Sequence, residues 1–326
     1  MINNSTIVIS SSLIISFLLT QIITPRLIEI CSKYNIKENP NERKEHKKPM
    51  IRLGGVGLLL SFQISLIILV NLNDLYDFIE LNNSLILKIQ IFSFLVSIIG
   101  IIDDLLNINA YLRLICQFSI AFLTWTSDIR IDSLYFIVGN NLSYSLNLNA
   151  LSSCLITMLW LVGVINAINW IDGIDGLACS LIISSCLGFI ILSILNNQFD
   201  SLILASSLMG PCLCFLIYNY YPAKLFMGDG GSNFLGFIVA IISIIYYSQN
   251  DSINFNPLQV SLLIAIPIFD MVYVILKRIL SGHSPFLPDR SHFHHRLVNI
   301  GFNPRSILNF ALFISIPLIS LGIVLF

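Results

Sequence analysis

Carboxamides, carboxylates and glycines stand together in one short stretch of this sequence. The stretch reads Asn166-Ala-Ile-Asn169-Trp-Ile-Asp172-Gly-Ile-Asp175-Gly-Leu-Ala178 and joins two long apolar segments. Polar groups at the edge of hydrocarbon are costly to keep there, so they indicate a functional site. Carboxylates beside glycines suit a divalent cation and a phosphate-bearing ligand, because glycine lets the backbone come close.

Three further polar clusters stand where apolar segments end or begin. Asp103 and Asp104 close one segment, and Asp229 lies in the run Phe226-Met-Gly-Asp-Gly-Gly-Ser, which opens another. The third cluster is basic and lies between two apolar segments; its members are Arg290, His292, His294, His295 and Arg296. Each cluster alone has an ordinary explanation, as a solvated helix end, a turn or a surface group. The position of the clusters relative to the membrane decides between these ordinary explanations and a shared functional site.

The composition is typical of a polytopic membrane protein. Of 326 residues, 56% are hydrophobic and 11% are charged, whereas a soluble domain has about 25% charged residues. The formal net charge of −1 gives no basic surface for nucleic acid, which excludes that class of partner. The seven cysteines lie mostly within apolar segments without paired spacing, so we interpret them as small hydrophobic residues.

Ten apolar segments are candidate membrane spans, each of which needs about 20 mostly apolar residues. They predict an all-α polytopic membrane protein with a single integral membrane domain over residues 1–326. The fourth segment is the shortest and is led by Arg113. The ten candidates are 6–26, 53–71, 85–102, 112–127, 151–168, 177–195, 201–218, 232–248, 258–276 and 307–325.

Lys and Arg residues are distributed unequally between the two sides of this topology. With both termini on one side, the opposite side holds 15 of the 17 Lys and Arg residues, and only Lys88 and Arg130 fall elsewhere. The positive-inside rule makes the basic side cytoplasmic and turns both termini outward. All four polar clusters lie on that cytoplasmic side. We therefore expect them to converge on one site at the ends of the helices.

The ligand types predict which metal such a site prefers. Oxygen donors without thiolates favour Mg²⁺ or Mn²⁺ over zinc. Magnesium usually takes one or two protein oxygens plus substrate phosphates, so Asp229 and one member of the 166–175 run would suffice. The basic cluster would offset phosphate charge, and its arginines can do so through bidentate hydrogen bonds.

These motifs resemble those of the polyprenyl-phosphate N-acetylhexosamine-1-phosphate transferases, glycosyltransferase family 4. The resemblance extends over nearly the whole chain, from the Lys47-Lys48-Pro…Gly54-Gly55 loop to the histidine run. It implies a magnesium-dependent phosphotransferase that converts a UDP-linked N-acetylhexosamine and a polyprenyl phosphate into a lipid diphosphate-linked sugar and UMP. Such a reaction would be the first membrane step of an envelope glycan. A membrane homodimer would be ordinary for this family.

The resemblance also implies roles for individual residues. Asn169 and Asp229 match the magnesium ligands. The catalytic acids are matched by Asp103 and Asp104, near the lipid phosphate with one of them as a base, and by Asp172 and Asp175, near the nucleotide and metal. The segment that engages diphosphate and sugar is matched by Arg290, His292, His294, His295 and Arg296. Lys47 or Lys48 matches a basic position beside the nucleotide.

Two loops discriminate within the family. The run Asp289-Arg-Ser-His-Phe-His-His-Arg-Leu is similar to the N-acetylglucosamine-type enzymes. Met50-Ile-Arg-Leu-Gly-Gly replaces the Thr-Pro-Thr-Met-Gly-Gly loop of the phospho-N-acetylmuramoyl-pentapeptide transferases. We therefore expect UDP-N-acetylglucosamine and undecaprenyl phosphate as substrates, with the muramoyl-pentapeptide nucleotide or another UDP-N-acetylhexosamine as the alternative donor.

Two other classes of membrane protein fit the sequence less well. A transporter should carry its acids near the midplane of repeated halves, whereas these acids lie at helix ends and no repeat is visible. A CDP-alcohol phosphotransferase would need Ala-Arg after its Asp-Gly run, where this chain continues Leu-Ala-Cys. Asp270 is unexplained, because it lies inside the ninth candidate span. A structural hydrogen bond and a role near the site are both open for it.

Overall fold

A computed structural model describes residues 2–36, 49–72, 82–137, 143–248, 255–282, 284 and 291–324. Twelve helices and one antiparallel hairpin occupy these residues. The helices are α1 (Ile2–Lys33), α2 (Gly54–Asn71), α3 (Asn83–Leu106), α4 (Ala110–Thr126), α5 (Ala150–Ile171), α6 (Leu177–Leu195), α7 (Phe199–Asn219), α8 (Gly228–Ser248), α9 (Pro257–Leu263), α10 (Ala265–Leu280), α11 (Phe293–Asn299) and α12 (Pro304–Val324). The strands of the hairpin are β1 (Ser133–Ile137) and β2 (Ser143–Asn147).

Each of the ten predicted spans coincides with helical structure, and the all-α membrane fold is confirmed. Within the described residues, eight helices are long and apolar enough to cross a membrane, or nine if α9 and α10 count as one span. The predicted number of ten is not confirmed. The difference comes from α4, which has only 17 residues, near the lower end of the range that spans a bilayer.

The ninth predicted span is broken at Ile264, where α9 and α10 meet at a bend of 105°. Proline explains the break, because Pro267 has no N–H to donate to the carbonyl of Leu263 four residues earlier. The hydroxyl of Ser185 donates to that carbonyl instead, at 2.8 Å. The bend makes α10 a separate arm, and Asp270 lies on it.

Helix α8 forms the centre of the bundle and is enclosed along its whole apolar length. It packs on α2, α3, α5, α6 and α7. Small residues allow the close approach: a Cβ on Gly236 would lie 2.7 Å from the Cα of Ile165 in α5. Helices in a membrane associate through such close packing, because lipid tails are as apolar as the helices and the hydrophobic effect does not drive the helices together.

Polar residues on α1 repeat along the face that meets α7. Their spacing puts them on one side of the helix, and all are buried: Ser5, Ser12, Ser16, Thr20 and Thr24. Ser12 and Ser206 share a hydrogen bond of 2.5 Å between the helices. Ser16 Oγ lies where a Cβ on Gly210 would stand. These contacts attach the first helix to the bundle through small side chains.

Hydrogen bonds join connecting segments to one another at two ends of the bundle. At one end, Gly54 N donates to Phe226 O at 3.0 Å, so the segment before α2 meets the segment before α8. At the other end, the hairpin meets the segment before α9 through Tyr135 N and Phe255 O at 2.8 Å. Helix α4 runs between the two ends, because Arg113 at its start contacts Asp103 and Ser127 after its end accepts from Lys88 Nζ near the start of α3. The hairpin itself was not predicted from the sequence.

Candidate active site

The acidic motifs of α3, α5 and α8 meet at one end of the bundle. Asn169 Nδ2 donates to Asp229 Oδ1 at 3.0 Å and to Ser232 Oγ at 2.9 Å. Asp104 Oδ2 accepts from the backbone N–H of Gly230 at 3.1 Å. The first N–H groups of a helix have no partner within it and carry partial positive charge, so the start of α8 attracts this carboxylate.

Glycines bring the three helices close enough for these contacts. A Cβ on Gly100 of α3 would lie 2.3 Å from the backbone oxygen of Asp229. Gly228 has φ +74°, and a Cβ there would lie 2.1 Å from Arg52 O. Only glycine fits these two positions. The glycines around Asp229 therefore set the spacing between α3, α8 and the segment before α2.

Two arginines lie on either side of Asp229. Arg52 Nη2 is 3.4 Å from Asp104 Oδ1 and 3.8 Å from Asp229 Oδ1. Arg113 Nη1 is 2.5 Å from Asp103 Oδ2 and 3.7 Å from Asp229 Oδ2. Neither arginine was among the site residues predicted from the sequence. The available signal was weak: each is a basic residue beside an apolar segment.

The turn after α5 carries the other two predicted acids. Asp172 follows the last residue of α5. Desolvation and the nearby carboxylate of Asp229 raise the pKa of Asp172 well above its usual range, and Arg52 opposes them only in part. Asp175 accepts from Ala223 N at 2.8 Å. One carboxylate of the turn is thus crowded by other acids, and the second ties the turn to the segment before α8.

The histidine segment reaches the same end of the bundle from α11. A Cβ on Gly173 would lie 2.3 Å from His294 Nε2, so this glycine makes room for the imidazole. Trp170 meets the ring of His292 edge to face at 5.3 Å between centroids. The glycines of the 166–178 run were expected to admit a ligand. At Gly173 the structure uses that space for a histidine.

The histidine segment contains a buried imidazole, His294, whose pKa is strongly lowered. Burial, together with the neighbouring His295 and His292, lowers the pKa of His294 from 6.5 to about 3. His294 is therefore neutral near pH 7 and can offer a ligand hydrogen bonds rather than positive charge. Its Nδ1 is buried and has no hydrogen-bond partner among the described residues. The positive charge of the segment is carried by Arg296.

Asp270 lies next to this segment and accepts hydrogen bonds from it. His292 Nδ1 is 3.0 Å from Asp270 Oδ2, and Arg296 Nη2 donates to Asp270 Oδ1 at 3.2 Å. Both interpretations left open by the sequence apply, because Asp270 is buried and structural yet contacts predicted site residues. Lys47, Lys48 and Arg290, the remaining predicted site residues, lie outside the described part of the chain.

Comparisons with known proteins bear on this site. The model of the family described as "Glycosyl transferase family 4" matches residues 86–247, a range that contains the acids of α3, α5 and α8. A protein of Bacillus subtilis (strain 168), "Probable undecaprenyl-phosphate N-acetylglucosaminyl 1-phosphate transferase", is 31% identical over 305 residues, which are 94% of this chain and 81% of that protein.

Two further relatives carry similar descriptions. The "Undecaprenyl-phosphate alpha-N-acetylglucosaminyl 1-phosphate transferase" of Haemophilus influenzae is 32% identical over 296 residues, 88% of this chain and 78% of that protein. The "Decaprenyl-phosphate N-acetylglucosaminephosphotransferase" of Mycobacterium leprae is 28% identical over 287 residues, 82% of this chain and 71% of that protein. The match to the family model ends at residue 247, before the histidine segment.

Proposed function

Because the chain belongs to glycosyl transferase family 4, we propose that it transfers N-acetylglucosamine 1-phosphate from UDP-N-acetylglucosamine to undecaprenyl phosphate and releases UMP. The observation that carries the proposal is the convergence of Asp103, Asp104, Asn169 and Asp229 with two arginines at one end of a membrane bundle. A lipid phosphate and a soluble nucleotide can meet only at such an end. The same relatives support a polyprenyl phosphate carrier and a sugar nucleotide as substrate classes.

In the proposed reaction an oxygen of the lipid phosphate attacks the β-phosphorus of the sugar nucleotide. A new P–O bond forms as the bond between the β-phosphorus and the UMP oxygen breaks, and UMP leaves with the bonding electrons. Both reactants are anions, so catalysis consists mainly of positioning and charge stabilisation. Arg52 and Arg113 are the described cations that contact the acid cluster, and their side chains are 31% and 20% exposed. They are accessible enough to exchange a carboxylate partner for a phosphate.

The residues present fit a magnesium ion, with manganese as the alternative. Both hydrogen bonds of Asn169 use its Nδ2, which leaves Oδ1 for a cation, and Asp229 remains 26% exposed. In the described part of the chain, no three His, Cys, Asp or Glu side chains form a metal site by themselves. Magnesium suits this arrangement, because it takes few protein oxygens and completes its shell with water and substrate phosphates. Asn169 and Asp229 would hold it, and when bound it would neutralise diphosphate charge and stabilise the leaving UMP.

The paired acids of α3 contact different arginines. Asp103 holds Arg113 beside Asp229. The side chain of Asp104 is only 2% exposed, and its Oδ1 accepts no hydrogen bond although Arg52 Nη2 lies 3.4 Å away. Either acid could accept the residual proton of the lipid phosphate, as the family resemblance implies. The task is small near pH 7, because the second pKa of a phosphate monoester is about 6.

Membrane orientation follows from charge in this proposal. The end of the bundle that carries the site has 15 of the 17 Lys and Arg residues in its predicted loops. By the positive-inside rule we place this end in the cytoplasm, where nucleotide sugars are made, and both termini outside. The product would be the first lipid-linked intermediate of an envelope glycan. A homodimer would leave this chemistry within each chain.

A donor comparison tests the proposal. Purified protein in undecaprenyl phosphate-containing vesicles should convert UDP-N-acetylglucosamine to lipid product faster than UDP-N-acetylgalactosamine or UDP-N-acetylmuramoyl pentapeptide. The measurement is radiolabel extracted into butanol for each donor at equal concentration. A preference for the muramoyl donor would overturn the assigned substrate, and absence of lipid product with every donor would overturn the reaction.

A further inference from the structure

Asp270 uses both carboxylate oxygens to hold α11. Oδ2 pairs with His292 Nδ1 at 3.0 Å, while Oδ1 accepts from the backbone N–H of Phe293 at 2.6 Å and from Arg296 Nη2 at 3.2 Å. The Asp270 side chain is 3% exposed. A buried carboxylate that accepts three hydrogen bonds from residues 292–296 fixes both the position and the rotation of the start of α11.

A second contact from the same helix reinforces the first. The guanidinium of Arg296 lies 4.2 Å from the ring centroid of Tyr273, three residues after Asp270 on α10. Residues three apart share a helix face. Arg296 is therefore bound by a carboxylate and an aromatic ring on one face of α10.

The held segment is the one that faces the acid site. His292 contacts Trp170, the neighbour of Asn169, and the His292 and His294 rings stack at 6.0 Å. The His294 ring fills the space that Gly173 leaves. Any shift of α11 away from Asp270 would move these imidazoles relative to the turn that carries Asp172.

The geometry points to Asp270 as the positioning residue of the sugar-nucleotide site: we propose that it orients His292, His294 and Arg296 toward the donor, without touching the donor itself. This inference rests on the proposed function, because it takes the histidine segment to contact the sugar nucleotide. A carboxylate only accepts hydrogen bonds, so His292 Nδ1 must carry the proton. Nε2 of His292 is then the ring atom left for another partner, as when a carboxylate orients a metal-bound histidine.

The test is Asp270→Asn. The asparagine side chain keeps one acceptor oxygen, but an NH₂ group replaces the other oxygen and cannot accept a hydrogen bond from His292, Phe293 or Arg296. We expect the KM for UDP-N-acetylglucosamine to rise about 10- to 100-fold, the range for losing an orienting partner. The KM for undecaprenyl phosphate should not change. A variant that merely folds poorly would lose maximal rate with both KM values unchanged. That result in Asp270→Asn would overturn the proposal.

Asp200→Asn is the matched control, because Asp200 is also a buried helical aspartate, 6% exposed, but lies at the opposite end of the bundle. It should leave both KM values unchanged. An equal rise in the donor KM in this variant would overturn the proposal as well.

A second readout does not depend on the reaction. Mass spectrometry after treatment with diethyl pyrocarbonate reports how fast each histidine reacts. His292 and His294, 8% and 3% exposed, should react slowly in the wild type and in Asp200→Asn and faster in Asp270→Asn. Unchanged labelling in Asp270→Asn would overturn the anchoring. Faster labelling together with a wild type that transfers nothing from UDP-N-acetylglucosamine would support the anchoring and refute the proposed function.

Discussion

Substituting Gly100 by alanine should displace Asp229 without altering any polar group. The added Cβ would lie 2.3 Å from Asp229 O and 2.5 Å from Gly230 N, whereas ordinary contacts begin at 3.4 Å. Both neighbours are backbone atoms of α8, so they cannot rotate away as a side chain would. Helices α3 and α8 must therefore separate by about 1 Å, because packed interiors have no spare space.

The expected magnitude follows from that displacement. Misplacing a reacting group by about 1 Å can cost about 100-fold in rate, and overpacking costs about 1–3 kcal/mol of stability. The rate of transfer from UDP-N-acetylglucosamine to undecaprenyl phosphate should fall by about 100-fold. The rate is expressed per mole of protein recovered in the monodisperse peak of size-exclusion chromatography. The unfolding temperature should fall by only a few degrees.

Gly163→Ala is the matched control for Gly100→Ala. Gly163 is also a helical glycine, in α5, but a Cβ there would meet only Met271 Cε at 3.8 Å. This variant should keep the wild-type rate. If Gly100→Ala transferred as fast as Gly163→Ala, the position of Asp229 relative to α3 would not matter for the reaction, and our account of the glycine-packed site would be refuted.

Two further predictions concern the metal and the histidine segment. Asp229→Asn should leave the protein folded but lower magnesium-dependent transfer by more than about 100-fold, which exceeds the effect of losing a residue that only orients a metal ligand. Undiminished turnover across a magnesium titration would refute the metal assignment. Because the pKa of His294 falls from 6.5 to about 3 on folding, the unfolded chain takes up a proton below pH 6.5 that the folded chain does not. The contribution of His294 to the free energy of unfolding is therefore fully present above pH 6.5 and is lost progressively toward pH 3, by up to about 2 kcal/mol between pH 6.5 and 5. Thermal unfolding measured at pH 6.5 and at pH 5 should show a smaller loss of stability in His294→Gln than in the wild type. An equal loss in both proteins would contradict the burial of His294.

The helices and the grouping of acids were predictable because apolar length and polar interruptions are local properties of the sequence. Asp103, Asp104, Asn169 and Asp229 stood where apolar segments end or begin, so alternation of the spans brought them to one side. Their contacts across α3, α5 and α8 agree with that prediction. The site could be located in this way without knowledge of the packing.

Pairings between distant helices were not predictable. Nothing local shows that Arg113 would meet Asp103 and Asp229, or that Asp270 would hold residues more than 20 positions away. The break before α10 had a visible signal in Pro267, but its cost depends on Ser185, which satisfies the freed carbonyl of Leu263 from another helix. Such features depend on three-dimensional packing, which periodicity does not specify.

The fate of the β-phosphorus tests the central claim most directly. Purified protein, undecaprenyl phosphate and UDP-N-acetylglucosamine labelled with ³²P at the β-phosphate would be incubated with magnesium, and lipid and aqueous phases would be separated. We predict that the label enters the lipid in equal amount to the UMP released. Release of UDP with an unlabelled lipid sugar, or label recovered as free sugar phosphate in the aqueous phase, would contradict phosphosugar transfer by this protein.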